Sequence, residues 1–565
     1  MSYVVKKATD SIRASILSAV EKAGEAGQLT PSQAELPAFI VEIPGDTSHG
    51  DFATNAAMVF ARTFRMAPRK IAEILTQNIA LDGYLDRVEI AGPGFINFFV
   101  NPQYYADVLL DVSDKGENYG RSDYGKGEKV MVEFVSANPT GPMHIGNARG
   151  GALGDVLASV LDMAGYNAYR EFYVNDAGNQ IEKFGMSLEA RYLQIYKGED
   201  QIPFPEDGYH GADIKERAQQ FADQEGEQYV DLPSDQRRAA LVAFALPKNV
   251  EGLKADLGRY RIEYDNWFHE SLLHEDGELT ATINLMKEKG LTYEKEGALW
   301  YKATEHGGEK DEVLIRQNGN PTYFAADIAY HYNKFAVRGF DRCINVWGAD
   351  HHGHVARLKG ALDAIGLDGS KLDIVLMQLV HLMQDGEPVR VSKRTGKSIT
   401  LSTLLDEIPV DAARFFFNMR EANTQMDFDL TLAVEQSSQN PVYYVQYAHA
   451  RICSILKNLA AEGITPRTCS QEELMMLNTP EELELIRHLA SLTGTIVDAA
   501  KAYDPARITR YVTDLATLFH KFYNSCRVKG ENEPLMQARL SLCLAVRQVV
   551  ANILKMLKIS APQVM

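Results

Sequence analysis

The segment 129–165, KVMVEFVSANPTGPMHIGNARGGALGDVLASVLDMAG, leaves few folds open to the chain that carries it. Residues 130–135 form a β-branched and apolar run broken only by Glu133, the pattern of a strand covered on both faces. A turn-rich loop follows, with Asn138-Pro139 and Gly141-Pro142 as breakers. Apolar residues then return at helical spacing: Leu153, Val156, Leu157, Val160, Leu161 and Ala164. His144 and Gly146 therefore fall between a buried strand and a helix start. Backbone N–H groups lack partners at such a place, and the helix dipole favours an anion. Residues 166–174 read as a second strand, which makes a βαβ unit and hence a parallel sheet with a right-handed crossover.

Around this unit the chain divides, because 565 residues exceed what one hydrophobic core organises. Residues 1–115 read as a small α+β domain, with helical patterns at 11–23, 55–64 and 68–77. Two strands within 88–100 turn around Gly92-Pro93-Gly94. Residues 116–385 read as a Rossmann-like α/β domain, split by a charged helical insertion at about 185–305. Strand-like runs resume at 313–315, 343–347 and 374–382. Residues 386–430 form a basic loop and a connecting region. The remainder, 431–565, reads as an all-α bundle, with a capping box at Thr479-Pro480-Glu481-Glu482 and a helix start at Asp504-Pro505.

Composition narrows the compartment more than the function. With 45% hydrophobic and 24% charged residues the chain is ordinary for a globular protein. The N-terminus, MSYVVKKATDSIRASIL, lacks the apolar stretch of a signal peptide, and no run reaches membrane-spanning length. Five cysteines without a C-x-x-C pair suggest a reducing cytoplasm and no structural zinc. A net charge of −18 argues against a protein that coats nucleic acid, though a local basic surface still suffices for phosphate contacts.

Several stretches carry chemistry. In PMHIGNARG, 142–150, an imidazole near a helix start could meet phosphate oxygens, and the absent Cβ of Gly146 lets a base or ribose lie close; a structural histidine is the plain alternative. RVSKRTGKS, 390–398, ends like a phosphate-binding loop, but that motif needs glycine where Val391 stands. What remains is a loop with Lys393, Arg394 and Lys397, either a solvated surface or a set of cations for an anionic ligand. In TYFAADIAYHYNKF, Tyr323 and Asp327 stand four apart and share a helical face. Such a pair can hold a guanidinium by a bidentate bond and cover its flat surface; otherwise Asp327 merely favours an early helical turn. GADHHGHV, 348–355, offers Asp350, His351, His352 and His354. These would suit a metal, or a ribose and phosphate at a helix start; no second histidine–carboxylate cluster completes a metal site. Phe95 and Asn97, after the Gly92 turn, could pack in a core or offer an aromatic face and an amide to an unstacked base.

Taken together, the histidine–glycine loop and the basic loop resemble the HIGH and KMSK signatures of class I aminoacyl-tRNA synthetases, in the right order on a split sheet. The resemblance is nearest to the arginyl-tRNA synthetases and covers the whole chain. Ser136-Ala137-Asn138-Pro139-Thr140-Gly141-Pro142, Tyr323-Phe324-Ala325-Ala326-Asp327, residues 348–354 and Gln446-Tyr447-Ala448-His449-Ala450-Arg451 all look like that family's. Asn147 stands at the last HIGH position and Arg390 at the first KMSK position, both departures from the pattern. The resemblance implies ATP-dependent activation of L-arginine to arginyl-adenylate, with Mg²⁺ accompanying ATP, then transfer to the 2′-OH of the terminal adenosine of tRNA(Arg). It also implies that adenylate formation needs bound tRNA, and the expected protein is a cytoplasmic monomer. His144 and Lys393 become the expected catalytic residues, with Gly146, Asn147, Asp350, His354 and Ser392 also near ATP. Ser136, Asn138, Asn147, Glu270, Tyr323, Asp327 and Asp350 become the arginine site. Phe95, Asn97, Tyr447 and Met565 become tRNA contacts. Lysine should be rejected, because acceptors arranged for a planar fork of donors are left unpaired by an ammonium. The competing readings are a metal-dependent hydrolase resting on 350–354, a nucleotidyltransferase unconnected with tRNA, and a non-catalytic tRNA-binding paralogue.

Overall fold

A computed structural model describes residues 2–30, 35–389, 399–530 and 532–565. The expectations placed on Arg390, Ser392 and Lys393 lie outside the described residues. The central domain is a five-stranded sheet whose neighbouring strands all run parallel. Its strands are β1 (Lys129–Glu133), β2 (Asn167–Val174), β3 (Asn266–His269), β4 (Arg342–Gly348) and β5 (Leu372–Met377). They lie in the order β5-β4-β1-β2-β3, so the chain reverses its direction of travel across the sheet between β1 and β4. Open α/β sheets bind ligands at the carboxyl ends of the strands beside such a reversal.

Three helices matter for that edge: α1 (Ile145–Met163), α2 (Tyr323–Tyr332) and α3 (His352–Ile365). Small residues let α1 lie close against the sheet. A Cβ on Gly154 would come within 2.3 Å of the Phe134 ring, and one on Gly151 within 2.8 Å of Ile262. The expected insertion is narrower than 185–305, because Asn266–His269 pairs in parallel with β2 and belongs to the sheet. Four residues, bounded by charged segments, are too few to show a strand period in sequence. Helices Asn179–Lys197, Ala212–Glu225 and Ser234–Arg259 form the inserted part around a small core of their own, including Phe184, Tyr192 and Phe221. The run 313–315 falls outside the parallel sheet, in an antiparallel one with Thr292–Lys295 and Ala298–Tyr301. Residues 374–382 divide between β5 and a strand Val380–Gln384 of a further small sheet.

The N-terminal unit packs helices Tyr3–Glu25, Ala56–Phe64 and Pro68–Asn78 with a four-stranded antiparallel sheet. The C-terminal unit is built on Pro441–Ala461, Pro480–Ala502, Ala506–Ser525 and Glu533–Met556, the second opened by the Thr479 capping box. Two buried ionic clusters tie the units together, one between the central domain and the bundle and one between the N-terminal unit and the bundle. Asp155, on α1 and fully buried, meets Arg414 at 2.5 Å, Arg170 at 2.8 Å and Lys558 at 3.1 Å. Arg414 also donates to the carbonyls of Leu557 and Tyr260. Asp51 of the N-terminal unit accepts from Arg487 of the bundle at 2.5 Å and from the Tyr105 hydroxyl at 2.8 Å. No helix among the described residues is long and apolar enough to cross a membrane.

Candidate active site

The carboxyl edge of the sheet carries two cavities. One, of about 560 Å³, lies at the β1/β4 reversal and is lined by Val135, Gly146, Asn147, Gly150, Gly348 and Asp350, among others. A Cβ built on Gly146 meets nothing within 4 Å, so glycine keeps that wall open. His144 is the N-cap of α1 and is exposed. Asn147 Oδ1 accepts from the His144 backbone N–H at 3.0 Å, while the Asn147 N–H donates to the His144 carbonyl. Asparagine at the last HIGH position thus fixes the turn that presents His144, a capping role that the sequence alone did not assign to it. The segment after the basic loop is fastened to the same turn: Thr400 pairs with His144, and the Leu401 N–H donates to the Met143 carbonyl at 2.9 Å.

The second cavity, of about 750 Å³, lies beyond β2 and β3 and is lined by Gly178, Glu270, His274, Arg316, Tyr323 and Ala326, among others. The helix start Thr322 caps α2 through its hydroxyl and so aims Tyr323 into this space. Glu270 opens the short helix that follows β3 and is almost fully buried. Burial pushes its carboxyl up to about 7, and the charges of Asp327 and Asp176 add to this, against a hydrogen bond from the Tyr173 hydroxyl. Asp176 is held by His269 Nδ1 at 2.7 Å and by the Ser271 N–H at 2.8 Å. Among the described residues neither Glu270 nor Asp327 is paired with an arginine or lysine; the basic neighbour of Glu270 is His274, at 3.8 Å, and that of Asp327 is His354, at 2.7 Å. Glu270 faces the cavity, with Asp327 near enough for its charge to act on it, and carboxylates not paired with an arginine or lysine suit a cationic ligand.

Glu270 and Tyr323 line the same cavity, and Asp327 lies one turn after Tyr323 on α2. His354 turns to Asp327 rather than to the nucleotide side: its Nε2 lies 2.7 Å from Asp327 Oδ2. Arg357 Nε donates to His354 Nδ1 at 2.9 Å, so the ring proton sits on Nε2 and is donated to the carboxylate. The sequence placed His354 by analogy with a helix start and could not foresee α2 packing alongside. Asp350 is exposed at the mouth of the smaller cavity, and Asn138 is exposed on the loop before His144. No group of three His, Cys, Asp or Glu side chains fit to hold a metal occurs among the described residues, and the cluster 350–354 does not converge.

The remaining expected residues lie on the outer units. Phe95 is half-buried at the start of strand Phe95–Val100, and Asn97, two residues on, is 5% exposed between its neighbours in the sheet. Tyr447 is 39% exposed and stacks parallel to Tyr443 with centroids 6.4 Å apart. Together with Arg451 and His520 these rings line an open cleft on the bundle. Met565 is exposed at the chain end. Sequence reasoning missed Arg149, fully buried, whose guanidinium donates to the carbonyls of Gln378, Glu421 and Thr424 at 2.8–2.9 Å. Its one signal was an arginine flanked by Ala148, Gly150, Gly151 and Ala152.

Residues 111–454 match the family described as tRNA synthetases class I (R), catalytic domain. With the parallel sheet, its reversal and the His144 turn, this defines a class I aminoacyl-tRNA synthetase. Residues 10–100 match the arginyl-tRNA synthetase N-terminal domain, and 445–565 the DALR anticodon-binding domain. The chain is 55% identical to an arginine–tRNA ligase of Caldanaerobacter subterraneus over 564 residues, covering 100% of each chain. It is 53% identical to that of Acetivibrio thermocellus over 566 residues, again covering 100% of each. The fold matches the Thermus thermophilus arginyl-tRNA synthetase structure with a TM-score of 0.72 at 21% identity, covering 98% of this chain and 100% of the other. The chain belongs to the arginyl-tRNA synthetases.

Proposed function

We infer that this protein is an arginine–tRNA ligase. It joins L-arginine to tRNA(Arg) at the expense of ATP, through an arginyl-adenylate. The observation that carries the choice of amino acid is the Glu270 carboxyl facing the larger cavity with Asp327 close by, neither paired with an arginine or lysine among the described residues. The guanidinium of arginine sits between these carboxylates, with Tyr323 over its plane. Ser136, Asn138 and Asn147 face the ammonium and carboxylate ends. ATP occupies the smaller cavity, against Gly146, Asn147 and Asp350. The arginine carboxylate attacks the α-phosphate in line and pyrophosphate leaves. Positioning and charge stabilisation do most of this work, and His144 together with Ser392 and Lys393 of the basic loop stabilises the developing charge. His354 acts by holding Asp327. The described side chains offer no ready cage for Mg²⁺, so it would arrive on the triphosphate, as that ion commonly does.

Transfer to the 2′-OH of the terminal adenosine completes the reaction. The cleft of Tyr443, Tyr447 and Arg451 offers stacking surfaces for unpaired anticodon bases, and Met565 at the chain end is taken as a further tRNA contact. The N-terminal domain, around Phe95 and Asn97, takes the tRNA elbow. We place the domains at 1–115, 116–385, 386–430 and 431–565, and the protein in the cytoplasm as a monomer. The test is ATP-dependent charging of total tRNA with each amino acid in turn. Arginine alone should be incorporated, and incorporation of lysine at a comparable rate would refute the pocket assignment.

A further inference from the structure

A run of buried polar side chains lies beneath the carboxyl edge of the sheet, outside the residues that face substrate. Its centre is Lys334, fully buried in a π-helical turn, Asn333–Val337, that continues α2. Such turns are rare and concentrate at functional sites. The Lys334 ammonium donates to Glu133 Oε2 at 2.5 Å and to Asn345 Oδ1 at 3.1 Å. An ammonium has donors only, so both partners must accept, and this fixes the direction of every bond beyond them.

On one side, Asn345 turns its Nδ2 to His331 Nε2 at 2.9 Å. That ring nitrogen must be the bare one, so His331 Nδ1–H donates to the backbone carbonyl of Asp327 at 2.8 Å. Burial first, and then the Lys334 charge, hold the imidazole neutral. On the other side, Glu133 Oε1 accepts from the Ser136 hydroxyl at 3.0 Å, and the Ser136 oxygen accepts from the Tyr173 N–H at 3.2 Å. These bonds steady a turn in which Val135 and Ser136 both adopt positive φ, 69° and 42°, a strained state for a β-branched residue. Ser136 is left with a lone pair and no proton to offer, which suits an ammonium.

We propose that Lys334 is a positioning residue that sets the spacing between Ser136 and Asp327, and so gauges the length of the amino acid between its ammonium and its guanidinium. The inference rests on the placement of those two ends given above. Two variants test it in arginine-dependent pyrophosphate exchange in the presence of tRNA. Asn345→Leu cuts the Asp327 branch while leaving Lys334 paired with Glu133. Lys334→Met removes the hub itself; should it fail to fold, Asn345→Leu still decides. In Asn345→Leu the KM for arginine should rise about tenfold or more, with those for ATP and tRNA within about twofold. Preference for arginine over homoarginine in kcat/KM should fall by at least about fivefold. An unchanged arginine KM with unchanged preference, or an equal rise in all three KM values, would overturn the proposal. Asp327→Ala serves as the control. If it leaves the arginine KM unchanged, the placement of the guanidinium fails and the gauge with it. If it raises that KM while Asn345→Leu does not, only the role of Lys334 falls.

Discussion

Arginine binding should expel a proton from Glu270. In the empty pocket its carboxyl stands at about 7, against an ordinary 4.5, because burial and the charges of Asp327 and Asp176 oppose ionisation. A guanidinium seated between Glu270 and Asp327 reverses that balance. If it returns Glu270 to its ordinary range, the change corresponds to about 3 kcal/mol of preference for the ionised form. Linkage then gives release of roughly 0.9 proton per arginine at pH 6, about 0.5 at pH 7 and under about 0.1 at pH 8. Affinity should rise by about tenfold between pH 6 and pH 8. Isothermal titration in two buffers of different ionisation enthalpy reads the proton count directly. Two histidines adjoin these carboxylates, His274 at 3.8 Å from Glu270 and His354 bonded to Asp327, so variants assign the source of the proton. Glu270→Gln and His274→Gln separate these sources, since only the first should abolish the buffer dependence. Identical binding heats in both buffers at pH 7 would refute the account of the pocket.

Three other outcomes are expected. Glu270 is an acid whose folded value lies above its unfolded one, so its contribution to stability is present below about pH 4.5 and lost as pH rises through about 7; without arginine, Glu270→Gln should therefore melt higher than the parent at pH 8 by differential scanning fluorimetry, with no gain at pH 4.5. Asp155→Ala leaves Arg414, Arg170 and Lys558 without their shared anion and should cost about 3–5 kcal/mol in denaturant unfolding. Tyr447→Ala removes a stacking face and should raise the KM for tRNA about tenfold with the KM for arginine unchanged in charging assays.

Local pattern makes part of this site legible in the amino-acid sequence itself. The 130–135 run, the breakers after it and the return of helical spacing place His144 at the end of a strand, and the four-residue separation of Tyr323 and Asp327 puts both on one face. These features depend on neighbours in sequence, whose geometry the backbone period dictates. The rest depends on contacts between distant segments. Nothing near Lys334 announces that Glu133, 201 residues earlier, will take its charge. His354 reads as a nucleotide ligand because its partner, Asp327, is 27 residues away on another helix. Strand β3 escapes notice because a four-residue edge strand owes its existence to the sheet it completes, not to its own pattern.

The bond from Arg414 to the carbonyl of Leu557 bears on how such enzymes can be recombined. Leu557 and Lys558 lie past the last long helix of the bundle, yet they complete the shell of a buried cation and a buried carboxylate under α1. A catalytic fragment ending near residue 430 would take the Leu557 carbonyl from Arg414 and the Lys558 ammonium from Asp155. A chimera that borrows another bundle must therefore import its tail as well: the reader of the anticodon ends as a structural peg in the half that performs the chemistry.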